Sequence, residues 1–578
     1  MRDAELVKVL TRRSLVIAAG EAGIFLMLGA RLYQLQIMES GKYKKLSERN
    51  SIRIRLIAPA RGTITDRNGE VLADNRNSYE IHMIPEDVIA RGIPVDETLD
   101  AIASKISLGE AEKERVRAKI RAKKPFFPVL VKSYLSWEEM AKIQAQSLDL
   151  PGVYVEETKR RNYPAKHVAA HVVGYVASAT EDDLRRDADP LLSLPDFKIG
   201  KSGIEKALDP ELRGRNGESV QIVNAAGRVI DNLDNRKKPA IPGRRATLTI
   251  DKRLQEHAAA VIQQESASAV VMDIHTGDIL CMASVPSFNP NIFQNEENAA
   301  EEFKALVENP RFPFINKAVE GLYAPGSTFK MMTAMAAMAD GKLTPATRYE
   351  CRGHMDYGDA RYHCWKSSGH GACNLEHAFE YSCDIFFYNL ATKIQMDAIQ
   401  EMAYRFGLGS ATGIEIGNER AGQVPSREWK RNYKSEPWYT GDTIIASIGQ
   451  GFTLTTPLQL AVMTARIANN GIEVSPHIVR GEHESFAFPQ MNVNLQHLEL
   501  VRRGMFAVVN SKGGTGRSAS IDAKGAHMAG KTGTSQVRRI TREERLRGEL
   551  DQNRLPWNQR NHALFVGFAP FKNPRFSV

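Results

Sequence analysis

The sequence is poor in cysteine and aromatic residues, and it has no dense block of one charge. Five cysteines in 578 residues are too few for a disulfide-stabilised scaffold. Aromatic residues make up 7% of the chain, and no Lys/Arg-rich stretch has aromatics interleaved with it, which argues against a nucleic-acid partner. Lys and Arg number 77 against 68 Asp and Glu, and the resulting net charge of +9 fits a chain beside an anionic membrane.

The sequence contains one long hydrophobic run. It covers residues 15–37 and is interrupted by Glu21 and Arg31. This length is enough to cross a bilayer core of about 30 Å. Basic residues stand before the run: Lys8, Arg12 and Arg13. Because basic flanks stay in the cytoplasm, we expect a single-pass anchor in the inner membrane, with the N-terminus cytoplasmic and the rest exported.

Two alternatives to an uncleaved anchor remain open. A cleaved signal peptide would need a small-residue cleavage site, and no A-x-A pattern follows the run. Glu21 and Arg31 also leave room for an amphipathic helix on a soluble protein. We expect residues 1–37 to be the cytoplasmic tail and transmembrane anchor.

The remaining chain has an ordinary globular composition, with 42% hydrophobic and 25% charged residues. Residues 38–249 mix strand and helix signals. They include a tight hairpin signal at 66–69, a helical segment at 97–125 and a Ser136–Glu139 capping box. From 250 onward, apolar strands at both ends enclose helices, which predicts a sheet assembled from distant segments. We place the domain boundary near Thr249.

A serine followed three residues later by a lysine, Ser327 and Lys330, opens the apolar helix MMTAMAAMA. Residues three apart share a helical face, so the amine is expected to reach the hydroxyl. A serine needs a partner that takes its proton before it attacks an acyl carbon. Burial favours a neutral, basic amine. Alone, this spacing is common by chance.

Two further motifs make the pattern specific. Ser382-Cys383-Asp384 stands between two helical stretches, and Lys531-Thr532-Gly533-Thr534 follows later in the chain. A glycine in a strand lets a substrate backbone approach closely, and the adjacent lysine offers a cation for a carboxylate. The three motifs in this order are the set found in penicillin-binding proteins and class A β-lactamases.

The chain resembles the class B high-molecular-weight penicillin-binding proteins of the elongation type along nearly its whole length. Besides the three motifs, the resemblance rests on RGTITDRNGEVLA (61–73), GKSGIEKALDPELRGRNG (200–217) and WYTGDTIIASIGQGFTLTTPLQLA (438–461). It implies a multidomain α+β protein with three parts. These are an N-terminal transmembrane helix, an elongated mixed pedestal (dimerisation-type) domain at 38–249 and a C-terminal penicillin-binding, β-lactamase-like transpeptidase domain at 250–578.

The resemblance implies a serine-type D-Ala–D-Ala transpeptidase that cross-links peptidoglycan stem peptides, is acylated by β-lactams and has a carboxypeptidase side activity. Ser327 would be the nucleophile, Lys330 its base and Ser382 a proton relay to the leaving amine. Lys531 would hold Lys330 neutral by repulsion and, with Thr532, Gly533 and Thr534, bind the substrate. The backbone N–H groups of Ser327 and Thr534 would form the oxyanion hole. No cofactor is expected for this chemistry.

Two departures from the family pattern qualify this expectation. Position 384 is Asp where many relatives have Asn, and a carboxylate cannot donate an amide N–H to substrate, which puts a substrate-binding role of Asp384 in doubt. Relatives also continue with a further core strand and a helix where this sequence stops at Val578. Either the chain is truncated or the sheet is finished differently, and a missing core strand would leave a sheet edge open.

A second group of residues lies between 351 and 384. Cys351, Cys364, His370 and Cys383 form a candidate Cys₃His zinc site, and some elongation-type relatives hold a metal at matching positions. The exported compartment also favours a Cys351–Cys364 disulfide, and free thiols are a third possibility, as expected for Cys281. The spare candidate ligands are Cys373, His363 and His377.

Other functions remain to be weighed. A β-lactamase shares the motifs but needs a deacylation base that we cannot assign, and it needs neither anchor nor pedestal. A β-lactam sensor or scaffold would be non-catalytic, and a division-specific transpeptidase is the close alternative within the family. The resemblance also implies two membrane partners, a SEDS-family (RodA-like) glycosyltransferase and a rod-complex (MreC-like) activator.

Overall fold

The structure is a computed structural model, and it describes residues 2–40, 52–122, 124–194, 197–223, 229–294, 299–481, 487–521, 523, 525–538, 544 and 551–578. The described strands are β1 (Ile52–Ile57), β2 (Ile64–Thr65), β3 (Val71–Met83), β4 (Val129–Leu135), β5 (Val153–Asn162), β6 (Val176–Ser178), β7 (Lys198–Gly200), β8 (Gly217–Val223), β9 (Val229–Asn232), β10 (Ala246–Thr247), β11 (Ala267–Asp273), β12 (Ile279–Val285), β13 (Tyr349–Cys351), β14 (His354–Tyr357), β15 (Ala360–His363), β16 (Gly371–Cys373), β17 (Ala529–Ser535), β18 (His562–Ala569) and β19 (Phe576–Ser577).

The α-helices of these residues are given by their bounds. They are Arg2–Tyr33, Pro85–Ala90, Val95–Ala103, Glu110–Ala122, Trp137–Gln144, Ala170–Val173, Glu181–Arg186, Gly203–Ala207, Asp209–Arg213, Lys252–Ile262, Ala299–Glu308, Lys330–Ala339, Leu375–Glu380, Asp384–Ala391, Met396–Arg405, Arg427–Lys434, Thr440–Ala446, Pro457–Ala468 and Leu495–Asn510.

The N-terminal helix carries the hydrophobic run. Residues Ser14–Met38 are long and apolar enough to cross a membrane, and none of their most apolar stretch is buried within the protein. An apolar surface of this length is costly in water and favourable in lipid. The helix therefore fits a single-pass membrane anchor.

The chain divides into two compact units whose segments alternate along the sequence. The first consists of residues 1–60, 80–156 and 214–242, and the second of residues 61–79, 157–213 and 243–578. Both units thus draw on the segment before Thr249. The domain boundary near that residue stays a prediction.

In the first unit, β8 pairs antiparallel with β1 on one side and β9 on the other. The helical signal at 97–125 is two helices, Val95–Ala103 and Glu110–Ala122, with Ser104 as the C-cap of the first. Gly109 stands between them, and glycine is unfavourable inside a continuous helix. The Ser136–Glu139 capping box is present as predicted.

The second unit brings two of the quoted motifs together. β2 and β3 form the predicted hairpin around Asp66–Gly69. Arg61 Nε lies 2.6 Å from Glu205 Oε2, and Asp209 Oδ1 accepts the Gly200 N–H at 2.8 Å. The buried carboxylate of Glu205 needs a cation partner, and the first motif supplies it.

The main sheet of the second unit has the order β12-β11-β19-β18-β17 and is antiparallel throughout. Its strands come from opposite ends of the domain, as the sequence predicts. The last residues of the chain, Phe576 and Ser577, lie between β11 and β18. The two-residue β19 thus pairs with both of these strands, and the expectation of a missing strand and helix stays a prediction.

The helix Lys330–Ala339 lies in the core of this unit, and nine of its ten residues are buried. The helices Asp384–Ala391 and Pro457–Ala468 are also largely buried. The sequence MMTAMAAMA suits this position because Met and Ala combine high helix propensity with adaptable packing. Lys330 is thereby carried into the protein interior with the helix.

Candidate active site

Ser327 sits in a short 3₁₀ turn, Gly326–Thr328, directly before the buried helix. Gly326 has φ +54°, and a Cβ there would lie 2.6 Å from the carbonyl oxygen of Thr534. Its N–H donates to the carbonyl of Gly449 at 2.9 Å. Only glycine fits this close approach. The turn is thus held against β17, with Ser327 partly exposed between two buried neighbours.

Lys330 is fully buried, and its amine has three partners. Nζ donates to Asp384 Oδ1 at 2.7 Å, to the Ser382 carbonyl at 2.9 Å and to Ser382 Oγ at 3.4 Å. Among the described residues Ser327 Oγ has no hydrogen-bond partner. The predicted contact between Ser327 and Lys330 is therefore not made in this structure. The amine instead points to Asp384, because a buried ammonium needs a carboxylate.

Ser382 joins the second motif to both lysines. Its Oγ accepts from Lys531 Nζ at 2.9 Å, in addition to the longer contact with Lys330. The residue has φ +52°, in the left-handed region, where a non-glycine residue costs of order 1–3 kcal/mol. Such strain persists when surrounding contacts over-determine a conformation. Here the two lysines and the N–H bond to the Phe379 carbonyl fix Ser382 in place.

Lys531 lies in β17 and is completely buried. Burial, together with the charge of Lys330, holds the pKa of Lys531 well below its usual value, and Asp384 opposes this in part. The family resemblance implied that Lys531 acts by repulsion on Lys330. In the structure, the repulsion between the two amines contributes to the lowered pKa of Lys531.

The other residues of the Lys531 motif occupy different environments. The Thr532 hydroxyl lies 2.7 Å from that of Thr515. Gly533 is buried, and a Cβ there would lie 3.0 Å from the Pro325 carbonyl oxygen. Thr534 is exposed beside the Ser327 turn. Gly533 therefore permits the strand to approach this turn, while Thr534 is open to solvent.

Asp384 has both carboxylate oxygens engaged within the protein. Oδ1 accepts from Lys330, and Oδ2 accepts the backbone N–H of Trp365 at 3.1 Å. The side chain is almost buried. These contacts differ from those that a substrate-binding residue needs, because no carboxylate oxygen is left without a protein partner.

Three contacts in the site were not foreseen from the sequence. They come from Trp365, from Gln450, whose Nε2 donates to the Thr534 carbonyl at 2.9 Å, and from Thr515. Gln450 belongs to the quoted segment 438–461, and Thr515 stands in the glycine-rich Gly513–Gly516, so both had a local signal. No pattern near Trp365 in the sequence indicates that its backbone N–H donates to Asp384, 19 residues along the chain.

The cysteine and histidine group predicted as a metal site comes together. The ligand atoms of Cys351, Cys364, His370 and Cys383 all lie within 4.8 Å of one another. His370 Nδ1 is 3.5 Å from Cys351 Sγ and 3.6 Å from Cys364 Sγ. All five cysteines are free thiols, so the Cys351–Cys364 disulfide is not formed here. The spare candidates Cys373, His363 and His377 lie outside this group.

The donor set of this cluster fits zinc. Three sulfurs and one imidazole nitrogen are a usual tetrahedral zinc set, and here all four ligand atoms lie within 4.8 Å of one another. A hydrogen bond with Cys383 and burial raise the pKa of Cys364 to about 12. His370 Nε2 is buried without a partner among the described residues, whereas a zinc-bound imidazole usually donates this N–H to an acceptor.

The cluster and the lysine site share one segment. Ser382 and Asp384 face the lysines, while Cys383 between them belongs to the cluster. Trp365, which donates to Asp384, directly follows Cys364. Two cluster residues are therefore covalent neighbours of residues that contact Lys330 or its carboxylate partner.

A partly exposed serine on a glycine-bounded turn, next to a second serine held between two buried lysines, is the arrangement of a serine-type acyltransferase. Family models agree. Residues 267–578 match the penicillin binding protein transpeptidase domain, and residues 56–248 match the penicillin-binding protein dimerisation domain. The chain belongs to the penicillin-binding protein transpeptidase family.

Individual members of this family are similar to the chain over most of its length. The chain is 34% identical over 581 residues to the peptidoglycan D,D-transpeptidase MrdA of Escherichia coli K12, covering 98% of this chain and 90% of that one. Among solved structures, the PBP2–MreC complex from Helicobacter pylori matches with a TM-score of 0.77 at 27% identity, covering 91% and 94%. Pseudomonas aeruginosa PBP2 in complex with WCK 5153 matches at 0.65 and 30%, covering 91% of each chain.

Proposed function

We propose that this protein is a peptidoglycan D,D-transpeptidase that cross-links stem peptides during cell elongation through a serine acyl-enzyme. The observation that carries the proposal is the convergence of Lys330, Ser382 and Lys531 beside the Ser327 turn. The relatives named MrdA and PBP2 support the elongation role over the division role. β-Lactams would acylate the same serine.

In the proposed first step, Ser327 Oγ attacks the carbonyl carbon of the D-Ala–D-Ala bond. Lys330 takes the hydroxyl proton as a neutral amine, after its ammonium has passed one proton to the Asp384 carboxylate and the amine has turned toward Ser327. The new ester forms as the C–N bond breaks, and Ser382 passes a proton to the departing D-Ala amine. In the second step an amine from a neighbouring stem attacks the ester, releases Ser327 and forms the cross-link. Water as acceptor would give the carboxypeptidase side activity.

The Lys531 motif is proposed to bind the substrate. Lys531 places its amine on Ser382 and directs the terminal carboxylate of the stem, helped by the Thr532 and Thr534 hydroxyls. Gly533 permits close approach of the strand. The N–H groups of Ser327 and Thr534 would stabilise the oxyanion, since both belong to elements in contact through Gly326.

Asp384 is proposed to position Lys330 rather than to bind substrate. Its carboxylate holds the amine at 2.7 Å and is itself held by the Trp365 N–H. This role explains how an Asp replaces the Asn of many relatives. An amide would bind substrate, whereas a carboxylate beside a buried lysine forms an ion pair first.

The sulfur cluster is proposed to bind a structural zinc ion through Cys351, Cys364, His370 and Cys383. When bound, the ion would supply structural cross-linking and no reaction step. Cys383 would then hold the backbone on both sides of it, which keeps Ser382 in its left-handed conformation. A mercury reagent should release the bound zinc, which a zinc-binding dye detects. Mass mapping of disulfides tests for oxidised thiols, and free thiols without a metal would release no zinc.

The remaining assignments concern place and partners. We propose that the anchor at 1–37 leaves the N-terminus in the cytoplasm and the catalytic part outside, with a pedestal at 38–249 and the transpeptidase domain at 250–578. The similar PBP2 from Helicobacter pylori forms a complex with MreC. An MreC-like activator is therefore the proposed partner of the pedestal, and a RodA-like glycosyltransferase that of the anchor.

Reconstituted full-length protein tests the activity. With a lipid-linked or glycan-borne pentapeptide, the wild type should release D-Ala and form cross-linked dimers, and Ser327→Ala should do neither. Many turnovers of a chromogenic cephalosporin would favour a β-lactamase instead, and complementation by Ser327→Ala in cells would favour a scaffold or sensor. Rounding of rod cells on depletion would support elongation, whereas filaments would indicate division.

A further inference from the structure

A cluster of three aromatic side chains, two partly buried and one exposed, reaches the surface next to the active site. Trp429 and Tyr433 belong to the helix Arg427–Lys434, and their rings stack at 5.7 Å with 19° between the planes. The Phe452 ring is 5.1 Å from Trp429. We call these three residues the aromatic platform.

The platform is joined to the substrate-binding strand by a short piece of chain. Gln450 donates to the Thr534 carbonyl at 2.9 Å, and Phe452 follows two residues later, at most about 7 Å along the chain. Gly449 packs against the Ser327 turn on the other side. The platform therefore adjoins the end of the site at which Thr534 is exposed.

The helix that carries two of the platform's rings is fixed by its own contacts, although one ring, Tyr433, is exposed. Ser426 caps the helix by accepting the Trp429 N–H at 2.9 Å, and the buried Lys430 is paired with Asp442 at 2.7 Å. Tyr433 is nevertheless 76% exposed, and Lys430 is the one buried residue of the helix. The helix therefore presents the Tyr433 ring to solvent while its stacking partner Trp429 is half-buried.

Positive charge accompanies the aromatic rings. Lys434 Nζ lies 5.7 Å from the centre of the Phe452 ring, and neither Lys434 nor Arg431 has a carboxylate partner among the described residues. A ligand that fits must combine apolar C–H faces, which pack on aromatic rings, with carboxylates, which pair with cations. An N-acetylated sugar chain carrying acidic peptides has both.

We propose that the aromatic platform binds the glycan backbone of a peptidoglycan strand, with Lys434 on a carboxylate of its stem peptide. This inference rests on the proposed transpeptidase function and adds a binding subsite for sugar outside the acyl-transfer residues. The platform would hold a strand so that its stem peptide enters beside Thr534.

The test uses full-length protein in detergent and the soluble disaccharide-tetrapeptide, which lacks the D-Ala–D-Ala bond and is not consumed. Calorimetric Kd values are compared for wild type, Tyr433→Ala and Trp429→Ala. We expect about a fivefold rise in Kd for each variant. Tyr154→Ala, a partly exposed tyrosine of the other compact unit, should leave Kd unchanged.

Two further arms separate the possible outcomes. The free tetrapeptide should bind equally to wild type and Tyr433→Ala, because it carries no sugar, and unfolding temperatures should match for this exposed position. Unchanged Kd of the disaccharide-tetrapeptide in Tyr433→Ala, no measurable binding to wild type, or equal loss for both probes would overturn the inference. Normal fluorescent-penicillin labelling in all variants would show that the proposed function stands even then.

Discussion

The lysine site and the sulfur cluster are built on one three-residue segment, yet their chemistry differs. Ser382 and Asp384 contact two buried amines, whereas Cys383 between them joins three other soft ligands. The lysine site is charged and its amines are fully partnered. The cluster consists of neutral thiols with one imidazole nitrogen lacking a partner among the described residues.

This difference indicates which interactions stabilise the geometry of each site. In the lysine site the Asp384 carboxylate stabilises the Lys330 amine without an added ion, so the geometry depends on keeping this pair. The cluster has no such pairing of charges among its four residues, and we expect it to gain stability from a cation. Because Ser382 has a strained backbone, a loss in the cluster should reach the lysine site through Cys383.

The largest expected effect tests the lysine side of this comparison. Lys330→Ala removes the proposed base, and general-base catalysis is worth about 10²- to 10⁴-fold. The second-order rate constant for acylation by fluorescent penicillin should fall by that factor. Lys342→Ala, an exposed lysine beyond the end of the same helix, serves as control and should acylate normally. A Lys330→Ala variant that acylates at the wild-type rate would refute the assignment.

A second variant tests whether the ion pair holds the site. Asp384→Asn leaves the buried Lys330 amine without a carboxylate, which should lower the free energy of unfolding by about 3 kcal/mol. Denaturant titration measures this change. The matched control is Asp356→Asn, because its ion pair with Arg361 is exposed on both sides and should contribute little to the free energy of unfolding. Equal effects of the two substitutions would contradict a structural role of the pair.

The cluster side is tested by metal content. Cys383→Ala should lower zinc affinity by at least about tenfold, and it should slow penicillin acylation because Ser382 loses its fixed neighbour. Cys281→Ala removes a buried thiol outside the cluster and should retain zinc. If Cys383→Ala keeps both stoichiometric zinc and the wild-type acylation rate, the two sites are independent.

The last prediction is a pH dependence that belongs to the lysine side alone. The pKa of Lys531 lies below its ordinary value of 10.5 in the folded protein, so the unfolded chain binds more protons between the two pKa values. The free energy of unfolding should therefore rise with pH up to 10.5, with a slope of at most about 1.4 kcal/mol per pH unit.

Lys531→Met provides the reference for this slope. The difference in unfolding free energy between wild type and variant should grow in favour of the wild type as pH rises toward 10.5. Urea titrations at about pH 7 and about pH 10 measure it. A difference that is constant with pH would mean that Lys531 titrates normally in the folded protein.

Patterns among neighbouring residues of the sequence predicted the helices and turns that carry the site. They predicted few of the contacts between its side chains. The motif starting at Ser327 was placed at the mouth of a buried helix, and the hairpin at 66–69 and the Ser136 cap follow from turn and cap chemistry. The split of the 97–125 helix was missed because helical composition continues across Gly109. In each case the signal lies within a few residues.

Contacts across long sequence distances followed from family resemblance or were missed. Spacing alone pointed the Lys330 amine to Ser327, three residues away. The structure points it to Asp384, 54 residues away, because charge pairing in the interior outweighs proximity on the helix. The Trp365 N–H bond to the same carboxylate and the β19 position of Phe576–Ser577 are tertiary contacts with no local signature.

The central claim is that Ser327 is the acylated nucleophile. Full-length protein is incubated with a fluorescent penicillin, digested, and the labelled peptide is sequenced by mass spectrometry. The account predicts one adduct, on the peptide containing Ser327-Thr328-Phe329-Lys330. An adduct on any other side chain, or no adduct with folded protein, would contradict it.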